Sequence, residues 1–247
     1  MKECSKAVAR RLADSNFLRN YFVGRGVDIG GKPDPLVLYQ SLFDRITHMR
    51  TWDREDGDAQ LMSGVPDGHF DFAHSSHCLE HLVDPREGLR HWLRVVREGG
   101  HLVITVPDED LYEQGKFPST FNADHKWTFT IHKHESWSQR SLNVIDLVRE
   151  LGPQAQLLRV ELLSDTYRYD LPRHDQSLSP VGECGIEFVI RKLPRAEVVD
   201  RGRWRRRDTQ PPREVLVQLN QHRDDLDTLK LGNASRAPFM NETPLGN

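Results

Sequence analysis

Apolar positions recur along this chain with two periods, and the switches between them mark its elements. Over residues 3–22, Val8, Leu12, Phe17, Leu18, Tyr21 and Phe22 predict an amphipathic helix leading into a sheet. Val27 to Ile29 predicts a first strand closed by a Gly30-Gly31 turn, and Ile46 to Trp52 a second strand ending in Asp53. Phe70 to His74 is a third short apolar-rich run. Asp84, Pro85 and Glu87 have the chemistry of a helix start: a capping carboxylate, a proline in the first turn, and an acid three residues on. Leu89, Trp92, Leu93 and Val96 then fall at i, i+3, i+4 and i+7, which predicts one buried helical face ending at Gly99-Gly100. His101 to Val106 is nearly all apolar, as expected for a strand covered on both faces.

Two strands joined by a helix make a βαβ unit, and a parallel sheet receives its ligands at the carboxyl ends of its strands. Those ends are His74-Ser75-Ser76-His77 and Pro107-Asp108. Residues 108–119 have no period and predict a loop over the active site. Leu142, Ile145, Leu147 and Val148 predict a helix capped by Ser138 or Ser141 and stopped at Gly152-Pro153. Gln156 to Leu163 and Gly185 to Leu193 read as closing strands, the second alternating as an exposed or edge-near strand would. The long connection from Ser164 to Cys184 is polar with interspersed aromatics, a pattern more often functional than idle. A domain over 1–194 is then followed by a basic and proline-containing linker over 195–213. Val215, Leu219, His222, Leu226 and Leu229 predict an amphipathic helix over 214–231, a contact for a second copy or another protein; 232–247 reads as a disordered tail.

Composition adds bounds. A chain of 247 residues holds one α/β domain plus an appendage. A net charge of -3 argues against a wholesale nucleic-acid binder. No apolar run reaches the length of about 18 residues needed for a membrane span, and Met1 to Ser5 carries no apolar signal core. Cys4, Cys78 and Cys184 are isolated, which suits a reducing, cytoplasmic location without disulfides.

Phe70-Asp71, Leu79-Glu80-His81, Asp84-Pro85, Leu89, Arg94, Gly99-Gly100 and Pro107 together resemble the class I S-adenosylmethionine (SAM) dependent methyltransferases, in particular their small-molecule branch. The resemblance covers about residues 20–193, good to a few residues at each end. It implies an α/β fold: a doubly wound, mostly parallel Rossmann-like sheet with a C-terminal antiparallel hairpin, followed here by the extra helix and tail. One side of the sheet should be abbreviated, because only four residues separate Asp53 from Asp58. It further implies SAM as cofactor, touched by Asp28 and the Gly30-Gly31 turn, by Asp53 at the ribose, by Asp58-Ala59 at the adenine, and by Ser75 and Ser76. The usual third glycine of the turn is absent, with Lys32-Pro33 in its place.

Four histidines crowd the central stretch: His69, His74, His77 and His81. They lack the His-Glu-x-x-His spacing, since Glu80 directly precedes His81, so no metal ligand set is expected and Glu80-His81 reads as structural. The expected base is His125, oriented by Asp124, with His77 second; Trp127 and Phe129 read as core. The chain lacks the Asn/Asp-Pro-Pro-Tyr motif of many N-methyltransferases. The sequence reading is therefore O-methylation of a small molecule, such as a sugar or surface-glycan precursor. Two alternatives stay open: an RNA methyltransferase or RNA-binding protein using the basic run 201–207, and a catalytically silent module acting through its C-terminal helix.

Overall fold

A computed structural model describes residues 3–201, 221 and 225–227. The helices are α1 (Glu3–Ala13), α2 (Pro85–Val95), α3 (Val144–Glu150) and α4 (Arg195–Val199). The strands are β1 (Gly24–Ile29), β2 (Ile46–Trp52), β3 (Phe70–Ser76), β4 (Val96–Pro107), β5 (Thr128–Thr130), β6 (Ser141–Asn143), β7 (Ala155–Leu163) and β8 (Gly185–Lys192). Six strands form one sheet in the order β2-β1-β3-β4-β8-β7, while β5 and β6 pair separately. The strands from β2 to β4 are parallel, and β8 runs antiparallel to both β4 and β7. This is the expected Rossmann-like sheet with a closing hairpin, and it stops at β2. Among the described residues, no helix is long and apolar enough to cross a membrane.

The chain divides into two compact units, 1–202 and 203–247. In the second, only Gln221 and Asp225–Asp227 are described, all in helical conformation. Most of the expected helix over 214–231, the basic residues after Arg201 and the tail over 232–247 lie outside the described residues. The stretch expected to begin a linker at 195 starts with α4, where Glu197 pairs with Arg191 at 3.0 Å.

Alternation along the strands feeds two cores. Leu102, Ile104 and Val106 of β4 join Leu89, Trp92 and Leu93 of α2 and Leu147 and Val148 of α3. Burying each such α2 side chain stabilises by about 1.5–3 kcal/mol. On the opposite face Val103, Phe72 and Val189 meet Phe17, Phe22, Leu36 and Phe43. Asp84 caps α2 as expected, accepting from the amides of Arg86 and Glu87.

Four expectations are corrected. Helix α2 stops at Val95, because Val96 is extended and pairs with Phe70 at the start of β4. Gly99-Gly100 therefore lie inside that strand, where a Cβ at Gly100 would clash with the carbonyl of Asp71. Neither Ser138 nor Ser141 caps α3; Asn143 does, accepting from the amides of Ile145 and Asp146. Strand β8 is an inner strand, buried from Gly185 to Ile190, and Glu187 within it is fully buried. Residues 109–113 form a tight helical turn with Glu109, Leu111, Tyr112 and Glu113 buried, not an open loop.

Helix α1 explains how β8 can bury an acid. Its inward residues are Glu3, Cys4, Ala7 and Arg11, a mostly polar stripe. The Arg11 guanidinium donates to Glu187 Oε2 at 2.9 Å and to Thr105 Oγ1 at 3.3 Å, and it lies 3.0 Å from His74 Nε2. Arginine can only donate, so His74 Nε2 accepts and its hydrogen sits on Nδ1, 2.6 Å from Asp28 Oδ1. Asp28 Oδ2 in turn accepts the amide of Leu36 at 2.6 Å. Arg10 adds a second cation to Glu187 at 2.6 Å.

Burial pushes the Glu187 carboxyl up, but the Arg11 and Arg10 guanidiniums outweigh it and hold the group at about 2. A carboxylate depressed in the native state stabilises the fold above its unfolded value of about 4.3 and loses that contribution as pH falls through the native value. Glu187→Gln should therefore cost about 3–5 kcal/mol near neutral pH, where it strands Arg11. In chemical denaturation the gap to wild type should shrink toward about pH 2; a gap of constant size across that range would show that the ion pair is not its source.

Candidate active site

Two adjoining cavities open at the carboxyl ends of β1, β2 and β3. The outer has a volume of about 860 Å³ and is lined by Gly30, Lys32, Asp53, Asp58, Ala59 and Cys78, among others. The inner, about 210 Å³, is lined by Glu3, Asp28, Ser76, Glu80, Tyr112 and His125, among others. Gly30, Lys32, His77, His81 and Asn122 border both.

The floor of the outer cavity is the turn after β1. Gly30 has φ +69°, and a Cβ there would lie 2.6 Å from Cys78 Sγ. At Gly31 a Cβ would clash with the Asp28 carboxylate, which His74 and Leu36 hold in place. Asp53 ends β2 and clamps the turn, its Oδ2 accepting the amide of Lys32 at 3.0 Å and its Oδ1 that of Arg54 at 2.8 Å. Each oxygen keeps a free lone pair. Asp58 accepts the amide of Gln60 at 2.7 Å, shaping the next turn. Two of the expected cofactor residues have their polar atoms committed within the protein. Ser75 is fully buried, with its hydroxyl donating to the Ile29 carbonyl at 3.0 Å. Both oxygens of Asp28 are engaged inside the protein.

The inner cavity is built from ionisable side chains. His77 follows β3 with φ +54° and donates its amide to the Thr105 carbonyl at 2.9 Å. Glu80, on the tight turn Leu79–His81, is fully buried. Its Oε1 lies 3.3 Å from His77 Nδ1, 3.9 Å from His81 Nε2 and 3.9 Å from His125 Nε2. Burial pushes the Glu80 carboxyl up, yet the three surrounding imidazoles, His77 foremost, hold it below the ordinary range. For His77 burial pulls down, while Glu80 and Glu3 outweigh it and raise the imidazole.

The structure corrects the partner of His125. Its Nδ1 donates to Glu113 Oε1 at 2.8 Å, and its ring packs 5.1 Å from that of Tyr112. Asp124, the expected orienter, faces His81 Nδ1 at 3.2 Å instead. Lys126 donates its amide to the Glu80 carbonyl at 2.9 Å, which fixes this loop over the turn. Both oxygens of Glu80, one each of Glu3 and Glu113, His77 Nε2 and the Tyr112 hydroxyl are buried without a hydrogen bond. Unmet buried polar groups cost about 1–3 kcal/mol each. Such a concentration in one cavity marks it as built to receive something.

Sequence reasoning missed Glu3, Glu80, Tyr112 and Glu113 as parts of the site. A faint signal existed for Glu113, which lies one helical turn beyond the buried Glu109.

A parallel sheet with a glycine turn after its first strand, an acid ending its second and a cleft over both defines an α/β nucleotide-cofactor protein. The chain belongs to the methyltransferase-domain family, whose model matches residues 9–177. Among solved structures it is similar to a putative SAM-dependent methyltransferase from Listeria monocytogenes, at 11% identity over 78% of this chain and 100% of that one, with a TM-score of 0.49. It is also similar to a putative methyltransferase from Bacillus halodurans (13% identity, 76% and 99% covered, TM-score 0.48). A third is the Burkholderia thailandensis 1,6-didemethyltoxoflavin-N1-methyltransferase with bound 1,6-didemethyltoxoflavin and S-adenosylhomocysteine (13% identity, 78% and 80% covered, TM-score 0.47). No curated protein matches the chain.

The corrected pairing is directly measurable. In nitrogen-15 histidine NMR spectra, His125 should carry its hydrogen on Nδ1 in wild type and in Asp124→Ala, and should exchange between tautomers in Glu113→Ala. The reverse pattern would restore Asp124 as the orienter.

Proposed function

We propose that the protein transfers the methyl group of SAM to an oxygen of a small hydroxylated molecule, of the sugar or surface-glycan precursor type. The observation that carries this reading is the pair of cavities meeting at His77, a roomy one beside two acids and a small one walled by imidazoles and carboxylates. The cofactor is SAM. Asp53 takes the ribose hydroxyls, Asp58 with Ala59 the adenine edge, and Gly30, Gly31 and Ser76 admit the methionyl end. Asp28 and Ser75 act from behind, keeping the turn and the strand end in place.

Bound there, SAM would supply an activated methyl group for in-line transfer, leaving S-adenosylhomocysteine. His77, which borders both cavities, would stand between cofactor and acceptor, and His125 would take the proton of an acceptor hydroxyl admitted to the inner cavity. The protein's part is alignment, exclusion of water and removal of the proton. A nitrogen acceptor would need less help with its proton, and the histidine-rich wall favours oxygen. The reaction is assigned to the cytoplasm, in keeping with Cys4, Cys78 and Cys184 being free thiols.

Asp53→Ala should weaken SAM by about 1–3 kcal/mol in calorimetry, the cost of unpaired ribose hydroxyls. Unchanged affinity would remove the ribose assignment. His125→Ala and His125→Gln should bind SAM as wild type does and lose about 10²–10⁴-fold in turnover of a hydroxylated acceptor. Wild-type turnover in both would move the role to His77.

A further inference from the structure

We infer that Glu80, His81 and His125 form a binding site for a divalent transition-metal ion at the mouth of the inner cavity. Each offers a ligand atom, and the three atoms lie within 4.8 Å of one another. Both imidazoles turn Nε2 toward Glu80 Oε1, each at 3.9 Å. The edge of a tetrahedron with metal–nitrogen bonds of about 2.1 Å is about 3.4 Å. Small side-chain rotations would close the difference around an ion.

Three features distinguish this group from a chance cluster. First, the far nitrogen of each imidazole has an oxygen acceptor: His125 Nδ1 donates to the Glu113 carboxylate at 2.8 Å and His81 Nδ1 to the Asp124 backbone carbonyl at 3.2 Å. Such an acceptor behind each ring fixes the tautomer that leaves Nε2 free to ligate. Second, Glu80 is fully buried, yet neither oxygen has a hydrogen bond. His77 Nδ1 approaches one of these oxygens at 3.3 Å without completing a hydrogen bond, so a metal ion would supply the coordination that the buried carboxylate lacks. Third, His81 borders both cavities, so the ion has a way in and an open coordination position facing the acceptor space. Two imidazoles and one carboxylate suit zinc, iron, cobalt or manganese rather than magnesium or calcium, which prefer all-oxygen shells. The sequence hides the site because His125 comes from a distant loop, and His77 to His81 lacks the zinc-protease spacing.

The role of the ion rests on the methyl-transfer reading above. An acceptor hydroxyl bound at the open position would lose its proton to water more readily, as metal-bound water does. His125 then serves that oxygen as a ligand of the ion. The three donors would touch the ion, while Glu113 and Asp124 act as positioning residues.

The test uses the full chain, stripped with a chelator and titrated with cobalt(II) chloride. Saturable uptake of a single ion per chain should appear with visible d–d absorption, and zinc should displace it. In nitrogen-15 spectra zinc should shift Nε2 of His81 and His125, a readout that needs no variant. Glu80→Gln and His125→Ala should abolish saturable uptake, and Glu113→Gln should weaken it about 10–100-fold. His174→Ala, at an exposed position, should bind as wild type does. No saturable uptake by wild type, or uptake unchanged in Glu80→Gln and His125→Ala, overturns the site. Calorimetry with SAM on the stripped protein separates the two readings. Cofactor binding without metal uptake defeats only the metal site, and metal uptake without cofactor binding defeats only the methyl-transfer role.

Discussion

The structure depends on one buried chain of charges and hydrogen bonds: Glu187 to Arg11, Arg11 to His74, His74 to Asp28, and Asp28 to the amide of Leu36. It crosses the sheet from β8 through β3 to β1 and pins α1 over the strand ends. Every link is desolvated, so removing any one strands its neighbour. The chain also shapes the cleft. Asp28, held from both sides, leaves no room for a Cβ at Gly31, and the backbone there is open to whatever the outer cavity holds. Geometry at a binding surface is thus set by an ion pair three strands away.

The inner cavity follows a different logic. Outside the cavity, Thr130 Oγ1 and Gln156 Oε1 are the buried side-chain atoms without a partner among the described residues; the cavity gathers carboxylates, imidazoles and a phenol and leaves several atoms unmet. Glu80 stays ionised there because three histidines surround it, not because it is solvated. Tight helical turns of three and five residues carry Glu80, Tyr112 and Glu113. Such short pieces do not stand alone. The turn at 109–113 is pinned by Glu109, which takes bonds from Lys133, Ser136 and Ser141.

Much of the frame was legible from periodicity. β2 runs from Ile46 to Trp52 as read, and α2 begins behind Asp84 as its capping chemistry requires. These are local signals. What escaped is set by packing at a distance. The inward stripe of α1 contains Glu3 and Arg11, which no apolar period can find, because their burial follows from Glu187 on the far side of the chain. Alternation in β8 looked half-exposed for the same reason: an acid every reader would turn outward points inward to two arginines. Asp124 beside His125 suggested a pair, but the two follow a turn closed by the His125 amide on the Asn122 carbonyl, Asp124 faces His81 instead, and Glu113 arrives from another turn.

The sheet's early stop at β2 has a consequence for how the molecule meets its own copies. Among the described residues no strand pairs with the outer edge of β2, so its amides and carbonyls form a template for intermolecular pairing. Thr47, His48 and Arg50 are exposed along this seven-residue strand. Arg50 is held in place, stacked 4.7 Å from the Trp52 ring and paired with Asp56 at 3.1 Å. A fixed cation on a short bare edge discourages a second strand from docking. Arg50 is thereby a guard against self-association as well as a surface charge, and the loss of a strand from this sheet is tolerable only while such a guard is kept.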